Sequence, residues 1–138
     1  MNCYVDSSVL IRKLFSEPDD LKEWPKIKVS FSSRILRLEC LRTYDRWKVR
    51  NQALPAEIAA KHSELTELMR SVSLLPLTVR ILERAEQPCP VSLASLDAIH
   101  LATALFWREK HGDDFTFATH DQELGLAAKA YGLNVIGL

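Results

Sequence analysis

Acidic residues follow two short apolar stretches of the sequence. Asp6 comes directly after Asn2–Val5, Asp121 comes soon after Phe115–Ala118, and both stretches are typical of buried strands. Because sites in open parallel sheets form beyond the carboxyl ends of the strands, these two carboxylates are candidates for one site. Each could instead be a helix cap or a turn residue.

Asp97 is harder to explain as a structural residue. It lies at the start of the segment Leu96–Trp107, which is apolar on almost every side and therefore predicts a helix inside the protein. A carboxylate at a helix start gains up to about 1 kcal/mol from the helix dipole, whereas desolvating it without a partner costs several kcal/mol. No Lys or Arg lies within ten residues of Asp97 on either side. A partner from elsewhere in the chain, or a metal ion, is therefore expected.

Glu39 is the fourth candidate acid, and a row of cations follows it. In a helix over Arg34–Arg50, Arg46 and Arg50 fall within about 20° of Glu39 and Arg42 lies about 60° away. We call Arg42, Arg46 and Arg50 the basic row. The apolar face lies roughly 100° round the helix, so Glu39 is expected off the core face. It could be an ordinary salt-bridged surface residue, and the row could be a solvated helix face.

The four acids together predict a divalent metal site. Carboxylates at short range cannot all ionise unless a cation joins them. Hard oxygen ligands select Mg²⁺, with Mn²⁺ as the alternative. Such an ion suits phosphate chemistry, because it polarises a phosphoryl oxygen and lowers the pKa of bound water. The basic row would then hold a polyanionic backbone, such as RNA, next to the metal.

Strands and helices alternate along the chain and must position these residues. The predicted strands are Asn2–Val5, Lys28–Phe31, Val72–Leu77, Phe115–Ala118 and Asn134–Ile136. The predicted helices are Ser7–Phe15, Asp19–Trp24, Arg34–Arg50, Pro55–Arg70, Thr78–Glu86, Ser95–His111 and Gln122–Tyr131. The expected N-caps include Ser7-Ser8, Thr78 and Ser95. Because the third stretch contains Pro76, it is an edge strand or an extended connection. Short apolar strands that alternate with helices predict an α/β fold with a mostly parallel sheet, covered by helices on both faces.

Length and composition predict one domain over residues 1–138. Apolar residues make up 47% and charged residues 26%, which is ordinary usage for a folded protein, and 18 basic residues balance 18 acidic ones. No apolar run is long enough for a membrane span, and the first residues do not resemble a secretory signal. The three cysteines, Cys3, Cys40 and Cys89, lack CxxC spacing. We therefore expect buried free thiols and a cytoplasmic protein.

Each acid lies in a short motif that resembles one family. The stretches are Tyr4–Leu10, Ser33 with Leu38-Glu39, Ser95–Ala104, and Phe117–Asp121. In this order and spacing they resemble the four acidic motifs of PIN-domain ribonucleases, and the third is the most specific. The chain length is similar to that of the VapC-type toxins, the stand-alone PIN proteins of toxin–antitoxin pairs.

The resemblance implies a Rossmann-like fold and a Mg²⁺-dependent endoribonuclease. The residues that match the family's acidic positions are Asp6, Glu39, Asp97 and Asp121. Asp6 and Asp97 would be the direct metal ligands, and Thr119 matches a hydroxyl that steadies the acidic site. The resemblance also implies a homodimer, held inactive by a VapB-type antitoxin. Trp24 and Trp47, expected at the surface, would suit such interfaces. The basic row has no counterpart in the motifs.

Single residues argue against two other classes of phosphate enzyme. A phosphotransferase of the haloacid-dehalogenase type would need a second Asp at position 8, where this chain has Ser8, and a receiver domain would need a Lys near Asn134–Leu138. A catalytically silent PIN-fold scaffold or RNA-binding protein is the main alternative, although such proteins usually lack one of the acids. We expect His100 to be packed and hydrogen-bonded, and His120 to turn away from Asp121 or to be exposed.

Overall fold

The computed structural model describes residues 1–138 and contains a five-stranded sheet in which all strands are parallel. The strands are β1 (Asn2–Val5), β2 (Val29–Ser33), β3 (Val72–Leu75), β4 (Thr116–Ala118) and β5 (Asn134–Ile136). The helices are α1 (Ser7–Leu14), α2 (Ile35–Arg50), α3 (Pro55–Arg70), α4 (Val79–Ala85), α5 (Ser95–His111) and α6 (Gln122–Ala130). The predicted α/β fold with a parallel sheet is confirmed.

β1 is buried at the centre of the sheet, and its side chains alternate between two cores. Cys3 and Val5 pack in one core with residues of α1, α2 and α3. Tyr4 packs in the other core with residues of α5 and α6, and its ring stacks on Phe117 of β4. Helices therefore cover both faces of the sheet, as the apolar strands predict.

The strand order β3-β2-β1-β4-β5 places the switch point of the sheet beside β1. The chain builds β2 and β3 on one side of β1 and then crosses to β4 and β5 on the other side. Val5 is paired with Ala118, so β1 and β4 end at the same level. The residues that follow these two strands, Asp6 and Thr119, therefore emerge next to each other at the carboxyl edge of the sheet.

Two prolines decide where local elements begin and end. The expected helix over Asp19–Trp24 is wrong: that segment consists of turns, and a single 3₁₀ turn follows at Trp24–Lys26. Pro25 lies inside this turn because a fixed φ suits the start of a helical turn rather than its end. Pro76 ends β3 at Leu75, and β3 lies at the edge of the sheet as predicted.

The helix caps agree only in part with the prediction. Thr78 caps α4 through a bond from the backbone N–H of Ile81. Asp6, rather than Ser7, caps α1. Ser95 is the first residue of α5 and makes no cap bond, because Ala94 occupies the cap position.

The structure also shows how exposed the two expected surface tryptophans and the three cysteines are. Trp24 and Trp47 are half-buried against the first core, so the expectation that they form an exposed apolar surface is wrong. Cys3 and Cys40 are buried and Cys89 is half-buried, and none forms a disulfide. Burial raises the pKa of the Cys3 and Cys40 thiols to about 12, so both remain protonated. None of the helices is both long and apolar enough to cross a membrane.

Candidate active site

The Asp6 carboxylate lies at the centre of a hydrogen-bond network at the carboxyl edge of the sheet. One oxygen accepts from the Ser8 hydroxyl at 2.6 Å and from the backbone N–H of Val9 at 3.4 Å. The other accepts from the Thr119 hydroxyl at 2.8 Å. Burial raises the pKa of Asp6, against the opposing effects of the nearby His100 and of these hydrogen bonds. Asp6 is thus both the cap of α1 and a buried acid of the site.

Thr119 connects Asp6 to Asp121. Its fully buried hydroxyl donates to Asp6 and accepts from the backbone N–H of Asp121 at 3.0 Å. The Asp121 carboxylate accepts from the backbone N–H of Leu124 at 2.7 Å and so caps α6. Asp121 therefore caps α6 and is also connected to Asp6 through Thr119.

Glu39 is held by residues of two other helices. Its Oε1 is 2.6 Å from Nε2 of His100 on α5, and its Oε2 accepts from the Ser7 hydroxyl at 3.1 Å. Its side chain is only 16% exposed. The helical angle places Glu39 off the apolar face of α2, but contact with α5 makes it an inward-facing residue rather than a salt-bridged surface one.

Asp97 lies in the first turn of α5 and is half-buried. No hydrogen bond or ion pair of the chain involves its carboxylate, so the expected protein partner is absent. Burial, followed by the charges of Asp121 and Asp6, raises the pKa of Asp97 from its ordinary value of 3.8 to about 6; His100 opposes the shift and Glu39 adds to it. Asp97 therefore lies within the electrostatic reach of the other three acids.

The donor set fits a hydrated ion better than an enclosed one. No three His, Cys, Asp or Glu side chains lie close enough together to hold a metal ion by themselves. Mg²⁺ retains several waters and needs only one or two carboxylates. The Asp97 carboxylate has no competing partner, and oxygen donors are the ligands that Mg²⁺ takes. The residues present therefore fit hydrated Mg²⁺, with Asp97 as its most available ligand.

Comparison with known proteins identifies the family. A family model described as the PIN domain matches residues 3–130. The chain belongs to the PIN-domain family. All four acids lie within the matched residues, and the expected resemblance is confirmed.

Two relatives and one solved structure extend this result. The chain is 30% identical to ribonuclease VapC46 of Mycobacterium tuberculosis (strain ATCC 25618 / H37Rv) over 137 residues, which cover 96% of this chain and 95% of the relative. It is 32% identical to ribonuclease VapC47 of Mycobacterium tuberculosis (strain CDC 1551 / Oshkosh) over 108 residues, 73% of each chain. The crystal structure of PAE2754 from Pyrobaculum aerophilum matches with a TM-score of 0.63 and 18% identity over 98% of this chain and 83% of that one. This last likeness is one of fold.

The basic row of this PIN domain lies along the exposed side of α2. It lines a shallow depression together with Asp45 and Lys48. Asp45 pairs with Arg42 at 2.9 Å and with Lys48 at 2.8 Å, which neutralises part of the positive charge. Lys48 was not predicted as part of this surface, because its helical angle lies outside the basic row.

Several residues around the acids were not predicted as parts of a site. Ser7 and Ser8 were expected only as helix caps, yet their hydroxyls bind Glu39 and Asp6. Their position directly after Asp6 was the available signal. His100 is packed and hydrogen-bonded, as expected. His120 is half-buried rather than exposed, because its Nδ1 donates to the carbonyl of Gly137 at 2.7 Å.

Proposed function

We propose that this PIN domain is a Mg²⁺-dependent endoribonuclease that hydrolyses RNA phosphodiesters and acts as the toxin of a toxin–antitoxin pair. The observation that carries the proposal is the Asp97 carboxylate, half-buried without a protein partner beside three other acids. The relatives support the nuclease activity, since both are named ribonucleases of the VapC type.

The proposed site divides its work among the acids. Asp97 and Asp6 would hold Mg²⁺, which on binding neutralises charge at the phosphate and activates water. Thr119 keeps the Asp6 carboxylate in one orientation through the 2.8 Å hydrogen bond. Glu39 and Asp121 would add negative charge to the metal site. Of these two, Glu39 is oriented at both oxygens by protein donors.

The basic row is proposed to bind the RNA backbone. Glu39 and Arg46 are seven residues apart on α2, which corresponds to about 10 Å along the helix. A phosphate backbone lying along α2 could therefore contact the cations while its scissile phosphate lies at the acids. Lys48 would join this surface, because its pairing with Asp45 is exposed and weak.

We propose in addition a cytoplasmic homodimer that binds a VapB-type antitoxin. Leu38 and Leu96 directly precede two of the acids and are 55% and 41% exposed, so apolar surface borders the site. Such surface suits coverage by a protein partner. Light scattering measures the oligomeric state, and copurification with the product of a neighbouring reading frame measures antitoxin binding. A monomer at high concentration without a copurifying partner contradicts it.

Cleavage of RNA by purified protein, with Mg²⁺ or with EDTA, tests the catalytic proposal. Asp97→Asn keeps the side-chain volume and should lower the cleavage rate by at least about 100-fold without unfolding the protein. Asp113→Asn is the matched control: Asp113 follows the other end of α5 and is 85% exposed. If wild-type protein binds RNA but shows no Mg²⁺-stimulated cleavage, the alternative of a silent scaffold or RNA-binding protein is correct.

A further inference from the structure

A buried chain of hydrogen bonds runs from β1 through α5 to the acid on α2. The backbone N–H of Ser33 donates to the Tyr4 phenol oxygen at 3.2 Å. This phenol oxygen is 2.7 Å from Nδ1 of His100, and Nε2 of His100 is 2.6 Å from Oε1 of Glu39. Tyr4 is fully buried and His100 is 1% exposed, so water does not compete for these bonds.

Donor and acceptor counting fixes one proton of His100. A carboxylate can only accept, so Nε2 of His100 carries a hydrogen and donates to Glu39. Nδ1 faces the Tyr4 hydroxyl, whose oxygen also accepts from the backbone N–H of Ser33. The phenol has one proton to donate, and it donates to Nδ1 when the ring is neutral.

We propose that Tyr4 and His100 are positioning residues: the Tyr4 hydroxyl fixes the orientation of the His100 ring through Nδ1, and the Nε2–H of His100 holds Glu39 in the orientation that the acidic site requires. The effect on metal and RNA rests on the nuclease proposal, whereas the hydrogen bonds of the His100 ring do not. Glu39 alone could rotate about several side-chain bonds. The His100 donor at one oxygen and the Ser7 donor at the other restrict it to one geometry.

The arrangement also connects the two layers that cover the sheet. Tyr4 belongs to the core that contains α5, whereas α2, which carries Glu39, packs on the opposite face. His100, one turn after Asp97 on α5, contacts Glu39 and so links the helices that carry the two acids.

Tyr4→Phe removes the hydrogen bond at Nδ1 of His100 and keeps the ring that stacks on Phe117. Nitrogen NMR of the His100 ring in metal-free protein should show a hydrogen on Nε2 in both proteins and an Nδ1 signal that shifts in Tyr4→Phe, where its hydrogen-bond partner is lost. Tyr44→Phe is the matched control, because Tyr44 is also buried and its hydroxyl also makes one hydrogen bond, to the carbonyl of Ile58. It should leave the His100 ring signals unchanged. A wild-type ring without a hydrogen on Nε2, or an Nδ1 signal that is unchanged in Tyr4→Phe, overturns the proposal.

Binding and kinetics test the consequence for Glu39. Tyr4→Phe should weaken Mg²⁺ binding by calorimetry, and lower kcat, by about 10- to 100-fold, with little change in the KM for RNA. In a Glu39→Gln background it should have no further effect, since it acts through Glu39. The positioning role is overturned if Tyr4→Phe lowers Mg²⁺ affinity and kcat as much in the Glu39→Gln background as it does alone. It is also overturned if Tyr4→Phe alone has wild-type Mg²⁺ affinity and kcat.

A second pair of variants covers the case in which Tyr4→Phe does not fold. His100→Gln retains an N–H that can donate to Glu39, and His100→Leu does not. Mg²⁺ affinity should be closer to wild type in His100→Gln, and equal affinities contradict the proposal. If wild-type protein binds Mg²⁺ but cleaves no RNA, the nuclease proposal fails, while the ring signals and the affinity series still decide the role of Tyr4 and His100.

Discussion

Replacing Asp97 by Asn tests the charge balance of the acidic site, because it removes one negative charge and almost no volume. In the folded protein, burial and the neighbouring carboxylates raise the pKa of Asp97 from 3.8 to about 6. A shift of about two units corresponds to roughly 3 kcal/mol for a fully shielded group. Asp97 is half-exposed, so solvent screening reduces this to roughly 1.5 kcal/mol. The substitution also loses the favourable helix-dipole interaction, which offsets about 0.5 kcal/mol of the stability gained.

The variant should therefore be about 1 kcal/mol more stable than the wild type at pH 7.5 without metal, which raises Tm by about 4 °C. The sign follows from proton binding. Between pH 3.8 and about 6, folded Asp97 retains a proton that the unfolded chain has released, so wild-type stability falls as the pH rises through this window. The stability advantage of Asp97→Asn over the wild type should consequently shrink, near pH 4, to a small fraction of its value at pH 7.5.

Urea denaturation at both pH values, in EDTA and in Mg²⁺, measures these differences. Mg²⁺ at 100 times its Kd should stabilise the wild type by about 2.7 kcal/mol and the variant by much less, reversing their order. Asp113→Asn, at an exposed position, should show none of these effects. An Asp97→Asn protein that is no more stable than the wild type in EDTA at pH 7.5 refutes the argument that burial and neighbouring charges make the Asp97 carboxylate unfavourable.

Three other substitutions probe separate parts of the site. Arg46→Ala should weaken RNA binding and reduce the slope of log K against log salt by about 0.7, with Mg²⁺ affinity unchanged, whereas Lys129→Ala, at the far end of α6, should leave the slope as it is. Thr119→Val removes the donor to Asp6 and should lower the unfolding free energy by about 1–3 kcal/mol in urea; wild-type stability would mean that this bond contributes nothing. Gly137→Ala should lower Tm, because Gly137 has φ +97° and a Cβ there would lie 2.6 Å from the Thr119 carbonyl oxygen; an unchanged Tm contradicts this tight contact.

The position of the acids after strands was predictable because it depends on local pattern and on one general rule. Apolar stretches mark the ends of β1 and β4, and parallel strands bring their carboxyl ends to one edge. Asp6 and Asp121 could therefore be placed from the sequence. Asp97 stood out because a charge in an apolar helix requires an explanation.

The contacts of Glu39 could not be predicted in the same way. The helical angle gives the side of α2 on which Glu39 lies, but not which element covers that side. Its partner His100 is 61 residues away, and Tyr4 is 96 residues from His100, so no local spacing links them. The cap of α1 shows the same limit: Asp6, Ser7 and Ser8 are all good cap residues, and pairing of the Asp6 backbone N–H with the Ala118 carbonyl decides among them.

The pairing of β1 with β4 has a consequence for the time at which the proposed site is completed. Asp6 and Thr119 are 113 residues apart, so at ordinary synthesis rates roughly 6–23 s pass between their additions to the growing chain. During that interval β1 lacks a neighbour on one side, and Asp6 lacks the hydroxyl that orients it. The proposed nuclease site is therefore incomplete until translation has almost ended. A chain that is interrupted before β4 contains three of the four acids and no site.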